Sequence, residues 1–495
     1  MIRGKQLRVW IRVRWLLRKV ALVAAGVLLS VLVFRGYLAI TGEPLEPWHT
    51  YRPQEMSRRQ LAAADWQAYL DHEEKLMESV RENVGLRVGA GDNALACRYH
   101  PESPLNPDKF EQNWNRSYVM LPDGEPLGSV VLLHGLTDAP YSMRHVAAHY
   151  RDRGFAAVGI RLPGHGTVPA GLIGIDWKVW DEATKLAVRE ATRLAGVGKP
   201  LHLVGFSNGG ALAMKYALDA ITDENLARPS QLILFSPMIG VTEMARFAGV
   251  AGWPAVFPGF ARAAWLGIMP EFNPFKYNSF PVNGARQSSL VTRSLQPRLA
   301  KYAREGRMAE MPPVLTFQSV VDFTTSTRAV IQSLYAHLPA NGSELVLFDI
   351  NRNVKFGPLM RTAADVVLSR VLPEAPRDYA VSLVTNVSQT TNEVAESFVS
   401  AGGAVEVRRE LGLSFPVGVF SLSHVAVPFP LDDSLYGLQP KGEPEFGVHL
   451  GAIAPRGERG TLIIALDALV RMSCNPFHSF AMEKIDAAIP AQSAE

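Results

Sequence analysis

Cysteine is almost missing from this chain: 495 residues contain two, Cys97 and Cys474. No pair has the short spacing that structural zinc or thiol redox chemistry requires, which removes cysteine-based metal centres from consideration. The two thiols can pair in an oxidising compartment, tying the N-terminal arm to the last helix, or stay buried and separate; sequence leaves both open. Basic excess is lacking as well, once the N-terminus is set aside. The formal net charge is +3, from 50 basic and 47 acidic residues. Seven of the positives (Arg3, Lys5, Arg8, Arg12, Arg14, Arg18, Lys19) fall before residue 20, leaving 43 basic against 47 acidic residues in the body. A mildly acidic body has no electrostatic footprint for nucleic acid. Internal repeats and low-complexity tracts are missing too. With 47% hydrophobic and 20% charged residues, the chain has the composition of a globular protein with a real core.

The basic N-terminus runs into an uncharged apolar stretch, Val20 to Phe34, and no lipidation cysteine follows it. Fifteen residues are short for a spanning helix, which wants roughly 20. Counting on to Ile40, with Arg35 snorkelling outward, restores the length. No small-x-small cleavage site is evident near residues 38–42, so an uncleaved signal anchor is expected. The basic flank would stay in the cytoplasm. That implies a single-pass protein of a bacterial inner membrane with its body in the periplasm.

After this segment (1–42), residues 43–125 read as an arm: a proline-rich link, a helix over 58–80 and an irregular stretch. Strands and helices then alternate. Val130–Leu133, Phe155–Ile160, Leu201–Val204 and Gln231–Phe235 are short buried strands separated by helical periods over 143–153 and 177–194. This alternation predicts an α/β fold with a mostly parallel sheet flanked by helices. The core is expected over 126–240 and 311–485. Aromatic residues crowd a first insertion, 241–310, that reads as a helical cap, either packed as its own core or forming an apolar lid. A second insertion, 351–415, reads as strand (379–384), helix (391–400) and strand (405–409).

The most informative stretch is Gly205-Phe206-Ser207-Asn208-Gly209, between an apolar strand and the helix expected from Gly210. A serine at so sharp a strand-to-helix turn is presented at the sheet's end with its hydroxyl exposed, and the glycines allow helix and strand to cross closely. The bland alternative is a βα loop whose serine caps the helix. A nucleophile at Ser207 needs a base, an acid and oxyanion donors, and this architecture orders them serine, acid, histidine. Of twelve histidines, only His337, His424, His449 and His478 follow Ser207. His337 ends a helix, His449 lies in an apparent strand over 447–450, and His478 is in a C-terminal helix. His424 follows the apolar run 417–423, past a presumed strand end, and is the expected base. Asp322, beyond the strand 313–317, is the expected acid, with Asp349 as runner-up. Backbone N–H groups of Leu136 and Asn208 are the expected oxyanion donors. His134 and His165 read as loop-organising residues.

Together, VVLLHGLTDAPYSM, GIRLPGHGTVPAG, VGFSNGG, FQSVVD and SLSHVAVPF make the chain resemble the α/β-hydrolases. The resemblance is to the branch of monoacylglycerol lipases, carboxylesterases and serine aminopeptidases. It covers residues 126–240 and 311–350 and resumes over 415–430. It implies an α/β-hydrolase fold and a Ser207–His424–Asp322 triad with oxyanion donors at Leu136 and Asn208. The implied activity is hydrolysis of apolar carboxylic esters, acylglycerols included, through an acyl-enzyme, with no cofactor or metal. The gap between acid and base exceeds what such enzymes usually have. An aminopeptidase would need an acid for the substrate amine, for which Glu243 and Glu271 are available. A non-catalytic membrane-tethered binding module is the reading from another class.

Overall fold

The computed structural model describes residues 2–41, 44–89, 94–240, 258–351, 371–388, 390–416, 419–442, 445–453 and 472–489. Helix α1 (Ile2–Thr41) is followed by α2 (Arg58–Ala63) and α3 (Trp66–Asn83), which starts where Asp65 accepts the Ala68 N–H at 2.8 Å. The core then alternates: β1 (Tyr118–Met120), β2 (Gly128–Leu133), α4 (Arg144–Arg151), β3 (Phe155–Ile160), α5 (Trp177–Ala195), β4 (Leu201–Phe206), α6 (Asn208–Ala220) and β5 (Gln231–Phe235). A small hairpin of β6 (Trp265–Gly267) and β7 (Phe280–Pro281) leads into α7 (Val282–Arg304). The sheet resumes with β8 (Val314–Ser319), β9 (Glu344–Asp349), β10 (Ala380–Asn386), β11 (Glu393–Val399) and β12 (Glu406–Ser414), and α8 (His478–Ala488) comes last.

Among the described residues, ten strands form one sheet in the order β1-β3-β2-β4-β5-β8-β9-β10-β11-β12. From β3 to β10 the neighbours are parallel; β1 at one margin and β11 and β12 at the other run antiparallel. Alternation along each strand sends side chains to two separate cores. Val131, Leu133, Val158, Leu203 and Leu232 meet α5, α6 and α7 on one face, where Val291, Leu295 and Leu299 of α7 are fully embedded. Val130, Leu132, Val204, Ile233, Phe235 and Phe317 meet α4 and α8 on the other. Buried on both faces, the central strands read as continuous apolar runs, as parallel strands do.

Three details differ from expectation. Residues 391–400 are not a helix: Glu393–Val399 is a strand, antiparallel to both β10 and β12. Helix-forming residues such as Ala395 and Glu396 lose here to cross-strand pairing, which burial decides more than intrinsic preference. Within the run 417–423, the described residues 419–423 are not a strand either; Phe420 and Leu422 are buried by loop packing, and His424 opens a single 3-10 turn, His424–Ala426. His449 is likewise in irregular backbone rather than a strand. Cys97 and Cys474 are both buried and unbonded to each other. Residues 241–257 of the expected cap and 352–370 of the second insertion lie outside the described residues.

The arm is part of the structure rather than an appendage. Leu61, Trp66 and Tyr69 belong to the main core. Fully buried Arg161, just past β3, is gripped by two carboxylates of the arm: Glu55 at 2.7 and 3.0 Å and Glu73 at 2.9 Å. Among the described residues no helix is long and apolar enough to cross a membrane. In α1, Leu22, Val23, Val27, Leu29 and Phe34 are exposed.

Candidate active site

Ser207 sits between β4 and α6 with φ 55° and ψ −112°, a conformation L-residues avoid and one that costs about 1–3 kcal/mol. Neighbouring backbone holds it there: its N–H donates to the Phe235 carbonyl at 2.9 Å, and its carbonyl accepts from Met238 N–H at 3.1 Å. The tightness explains the glycines. A Cβ on Gly205 would stand 2.5 Å from the Gly209 backbone, and one on Gly209 would overlap the Leu133 carbonyl. The strained serine argues against the simple helix-cap reading, since its side chain makes no cap hydrogen bond.

Register brings the remaining pieces alongside. Leu133 of β2 lies opposite Gly205 of β4, so the loop after β2 emerges next to Ser207. A Cβ on Gly135 would be 3.5 Å from the Ser207 Cβ. Leu136 follows directly, and Asn208 heads α6, where helix N–H groups lack intrahelical acceptors. No protein acceptor takes the backbone N–H of Leu136 or Asn208 among the described residues. Helix α7 flanks both: Gly284 packs near the Leu136 side chain, and Ser288 Oγ donates to Asn208 Oδ1 at 2.7 Å. Thr292 Oγ1 anchors the same helix to the Met238 carbonyl at 2.8 Å. Sequence inspection missed Ser288 and Thr292, because two hydroxyls inside a helical period carry no signal of their partners.

Asp322 and His424, 102 residues apart in sequence, meet: Oδ2 accepts from the imidazole Nδ1 at 2.9 Å. The aspartate side chain is fully buried, which by itself raises its pKa, yet the group is held below the usual carboxylate value. The His424 charge and hydrogen bond, with the N–H and hydroxyl of Thr325, outweigh burial. An ionised Asp322 accepting from Nδ1–H leaves Nε2 as the basic ring nitrogen, a tautomer assigned from this hydrogen bond. The ring packs 5.3 Å from that of Phe206, the residue preceding Ser207. Thus the long insertion between Asp322 and His424 does not keep them apart; it passes through β10, β11 and β12 at the sheet margin and returns. Asp349 ends β9 opposite Thr385, and the carboxylate hydrogen-bonded to His424 Nδ1 is that of Asp322.

The other candidates take structural places. Nε2 of His134 accepts the Leu162 N–H at 3.0 Å, so its Nδ1–H donates to the Gly135 carbonyl at 2.9 Å. Burial drives this imidazole down to about 3, fixing it as a neutral strut between two loops. His165 is also buried and neutral, with Nδ1 at the Leu162 carbonyl. His478 begins α8, and His337 ends a short 3-10 turn. The Glu271 carboxylate accepts the N–H groups of Ser279 (2.7 Å) and Asn278 (3.1 Å), closing the turn before β7; Glu243 lies outside the described residues. No group of acidic, histidine or cysteine side chains among the described residues is arranged to hold a metal ion.

A strained serine elbow at the C-terminal end of a central strand in a mostly parallel, helix-flanked sheet, with an aspartate–histidine pair packed against the neighbouring Phe206, defines the class: this is an α/β-hydrolase fold. Residues 124–339, somewhat under half of the chain, match the family model described as serine aminopeptidase, S33. Similar solved structures include a metagenome-derived lipolytic enzyme from the work on LipS and LipT (20% identity, 47% of this chain and 87% of that one, TM-score 0.38). Monoglyceride lipase of Saccharomyces cerevisiae, in complex with a substrate analogue, is another (17%, 47% and 81%, TM-score 0.36). Est1E of Butyrivibrio proteoclasticus, with bound ferulic acid, is a third (19%, 47% and 84%, TM-score 0.34). No curated protein matches the sequence.

Proposed function

We propose that the protein is a serine hydrolase of carboxylic esters, acting through an acyl-enzyme. The observation that carries this reading is the Asp322–His424 hydrogen bond, with the His424 ring 5.3 Å from that of Phe206, the residue preceding the strained Ser207. In this reading Nε2 of His424 removes the Ser207 proton as Oγ attacks the substrate carbonyl. The Leu136 and Asn208 N–H groups bind the resulting oxyanion, each worth roughly 3 kcal/mol in the transition state. His424 then protonates the leaving alcohol and activates the water that releases the acid. Asp322 fixes the tautomer and stabilises the imidazolium without taking the proton.

The matching family model is described by a peptidase name, which gives the amide reading its one specific support. Peptide cleavage from an amino terminus requires a carboxylate for the substrate amine. Glu271 is spent on two backbone N–H groups, so ester hydrolysis is the preferred reading. A panel of p-nitrophenyl esters from acetate to palmitate, run beside aminoacyl p-nitroanilides, tests this. The proposal expects turnover of esters and none of anilides; preferential cleavage of anilides reverses the order.

The proposal includes a tether. It rests on the basic run before residue 20, the apolar residues 20–34 and the exposure of Leu22, Val23, Val27, Leu29 and Phe34 in α1. The uninterrupted run spans about 22 Å at 1.5 Å per residue, against a hydrocarbon core of about 30 Å, so insertion requires the extension to Ile40. A membrane location with the catalytic body in the periplasm predicts that alkaline carbonate leaves the full chain in the membrane pellet. Release into the supernatant refutes the tether without touching the hydrolase reading.

A further inference from the structure

Among the described residues of the body, three arginines are buried: Arg98, Arg144 and Arg161. Arg161 is held by Glu55 and Glu73, and Arg144 lies 3.3 Å from Asp433. Arg98 has no carboxylate in ion-pair contact among the described residues, although it is only 2% exposed. Its Nη1 donates to the Asn273 carbonyl at 3.1 Å and its Nη2 to Asn115 Oδ1 at 3.2 Å, while Nε finds no acceptor. The rings of Tyr99 and Tyr277 lie 5.2 and 5.9 Å from the guanidinium carbon. The Glu271 carboxylate, near enough to feel this charge, is taken by Asn278 and Ser279. A buried guanidinium that is both unpaired and short of an acceptor is costly unless something else supplies the negative charge.

The space for it is present. Arg98 lines a cavity of about 240 Å³ between α3, the arm around residues 98–109 and the loop at Gly166–Thr167. The cavity is open to solvent at one side and below the roughly 300 Å³ at which drug-sized ligand sites begin. Arg81 and Lys109 also line it, against one lining acid, Asp108, whose Oδ1 already accepts from Asn113; Arg81 pairs outward with exposed Glu78 at 2.6 Å, and Lys109 is held only loosely by exposed Glu102 at 3.8 Å. Arginine's planar fork suits carboxylate or phosphate oxygens, and a second cation at the rim favours the anion's entry.

We infer that this cavity is a binding site for a small oxyanion, a phosphate or carboxylate group, received by Arg98 Nε–H with Lys109 at the mouth. The site is separate from Ser207: none of Ser207, Asp322, His424, Leu136 and Asn208 lines the cavity. Occupancy would pin the arm to that loop, so binding is expected to stabilise the fold. Two sources fit the chemistry, a free anion and a lipid headgroup.

The test uses the full chain in neutral detergent, titrated with inorganic phosphate at constant ionic strength held by chloride, read by calorimetry and by thermal unfolding. The inference predicts saturable binding and a saturating rise in Tm. Affinity should fall at least tenfold in Arg98→Lys, which keeps the charge and loses the fork, and severalfold in Lys109→Glu, a partly exposed position that leaves the core intact. Dihexanoyl phosphatidic acid binding more tightly than phosphate assigns the lipid source; equal or weaker binding assigns the free anion. No saturable response to phosphate, acetate or the short-chain lipid overturns the inference. So does a response unchanged in a folded Arg98→Lys and in Lys109→Glu. Ester hydrolysis, measured on the same samples, reports on Ser207 independently.

Discussion

Replacing Asp322 by Asn exposes the logic of the site, because it changes one atom and leaves the shape. Oδ1 of Asp322 accepts the N–H groups of Thr324 and Thr325, both at 2.8 Å, and an asparagine carbonyl keeps these bonds. Oδ2 accepts from His424 Nδ1 (2.9 Å), Thr325 Oγ1 (2.7 Å) and Gln318 Nε2 (3.0 Å). An amide NH₂ at that position can donate to a rotated threonine hydroxyl, but it faces Gln318 donor to donor. It also obliges Nδ1 of His424 to accept, which moves the ring proton to Nε2. A protonated Nε2 cannot take the serine proton. The expected loss in kcat is about 10⁴-fold, roughly 5 kcal/mol of barrier, with KM little changed. Gln318 Nε2 keeps the Thr325 and Thr327 hydroxyls as acceptors, at 3.2 and 3.1 Å, so the stability cost should be only about 1 kcal/mol. Hydrolysis of p-nitrophenyl butyrate and urea unfolding measure the two effects. A variant that retains kcat within tenfold of the parent refutes the role of Asp322, and Asp349→Asn, assayed in parallel, then becomes the informative variant. The same geometry sets an acid limit. Because the folded pKa of Asp322 is depressed, its contribution to stability is present above the usual carboxylate range and lost as pH falls through the folded value.

Two further outcomes follow from buried charges. Arg161→Leu leaves Glu55 and Glu73 buried without their cation and should destabilise the protein by about 3–5 kcal/mol, whereas joint replacement of all three by apolar residues should recover much of it; equilibrium unfolding of both variants decides. Asp433 accepts from Tyr141, His145 and two backbone N–H groups, and although burial opposes it, these partners and Arg144 lower its pKa from 3.8 to about 2. It therefore contributes about 2 kcal/mol of stability above pH 4, lost as pH falls towards 2. Asp433→Asn should remove that dependence from an acid titration of unfolding free energy, and an unchanged titration refutes the assignment.

What was legible in the sequence was legible for local reasons. The four central strands are short apolar runs bounded by turn residues, and a sheet buried on both faces leaves such runs no other state. The Ser207 elbow announced itself because close helix–strand crossing admits only glycine at Gly205 and Gly209. Asp322 and His424 were placed by chain order, and His424 was reached through a mistaken strand: its loop is buried by Phe420 and Leu422 without any ladder. What stayed hidden depends on distant partners. The stretch 393–399 has helix-forming composition, and only its pairing with β10 and β12 makes it a strand. Glu73 did leave a trace, since it occupies the apolar stripe of α3 with Tyr69, Leu76 and Val80, a position a carboxylate takes only when a buried cation waits for it. The partner, Arg161, is 88 residues away and could not be named from the stripe alone.

The central claim is that Ser207 is a nucleophile activated by His424. Labelling of the full chain with a fluorophosphonate, followed by mapping of the modified peptide, addresses it most directly. The account predicts modification confined to Ser207, abolished in Ser207→Ala and reduced by orders of magnitude in a folded His424→Ala. A folded parent protein that takes up no label, or takes it up at another residue, contradicts it.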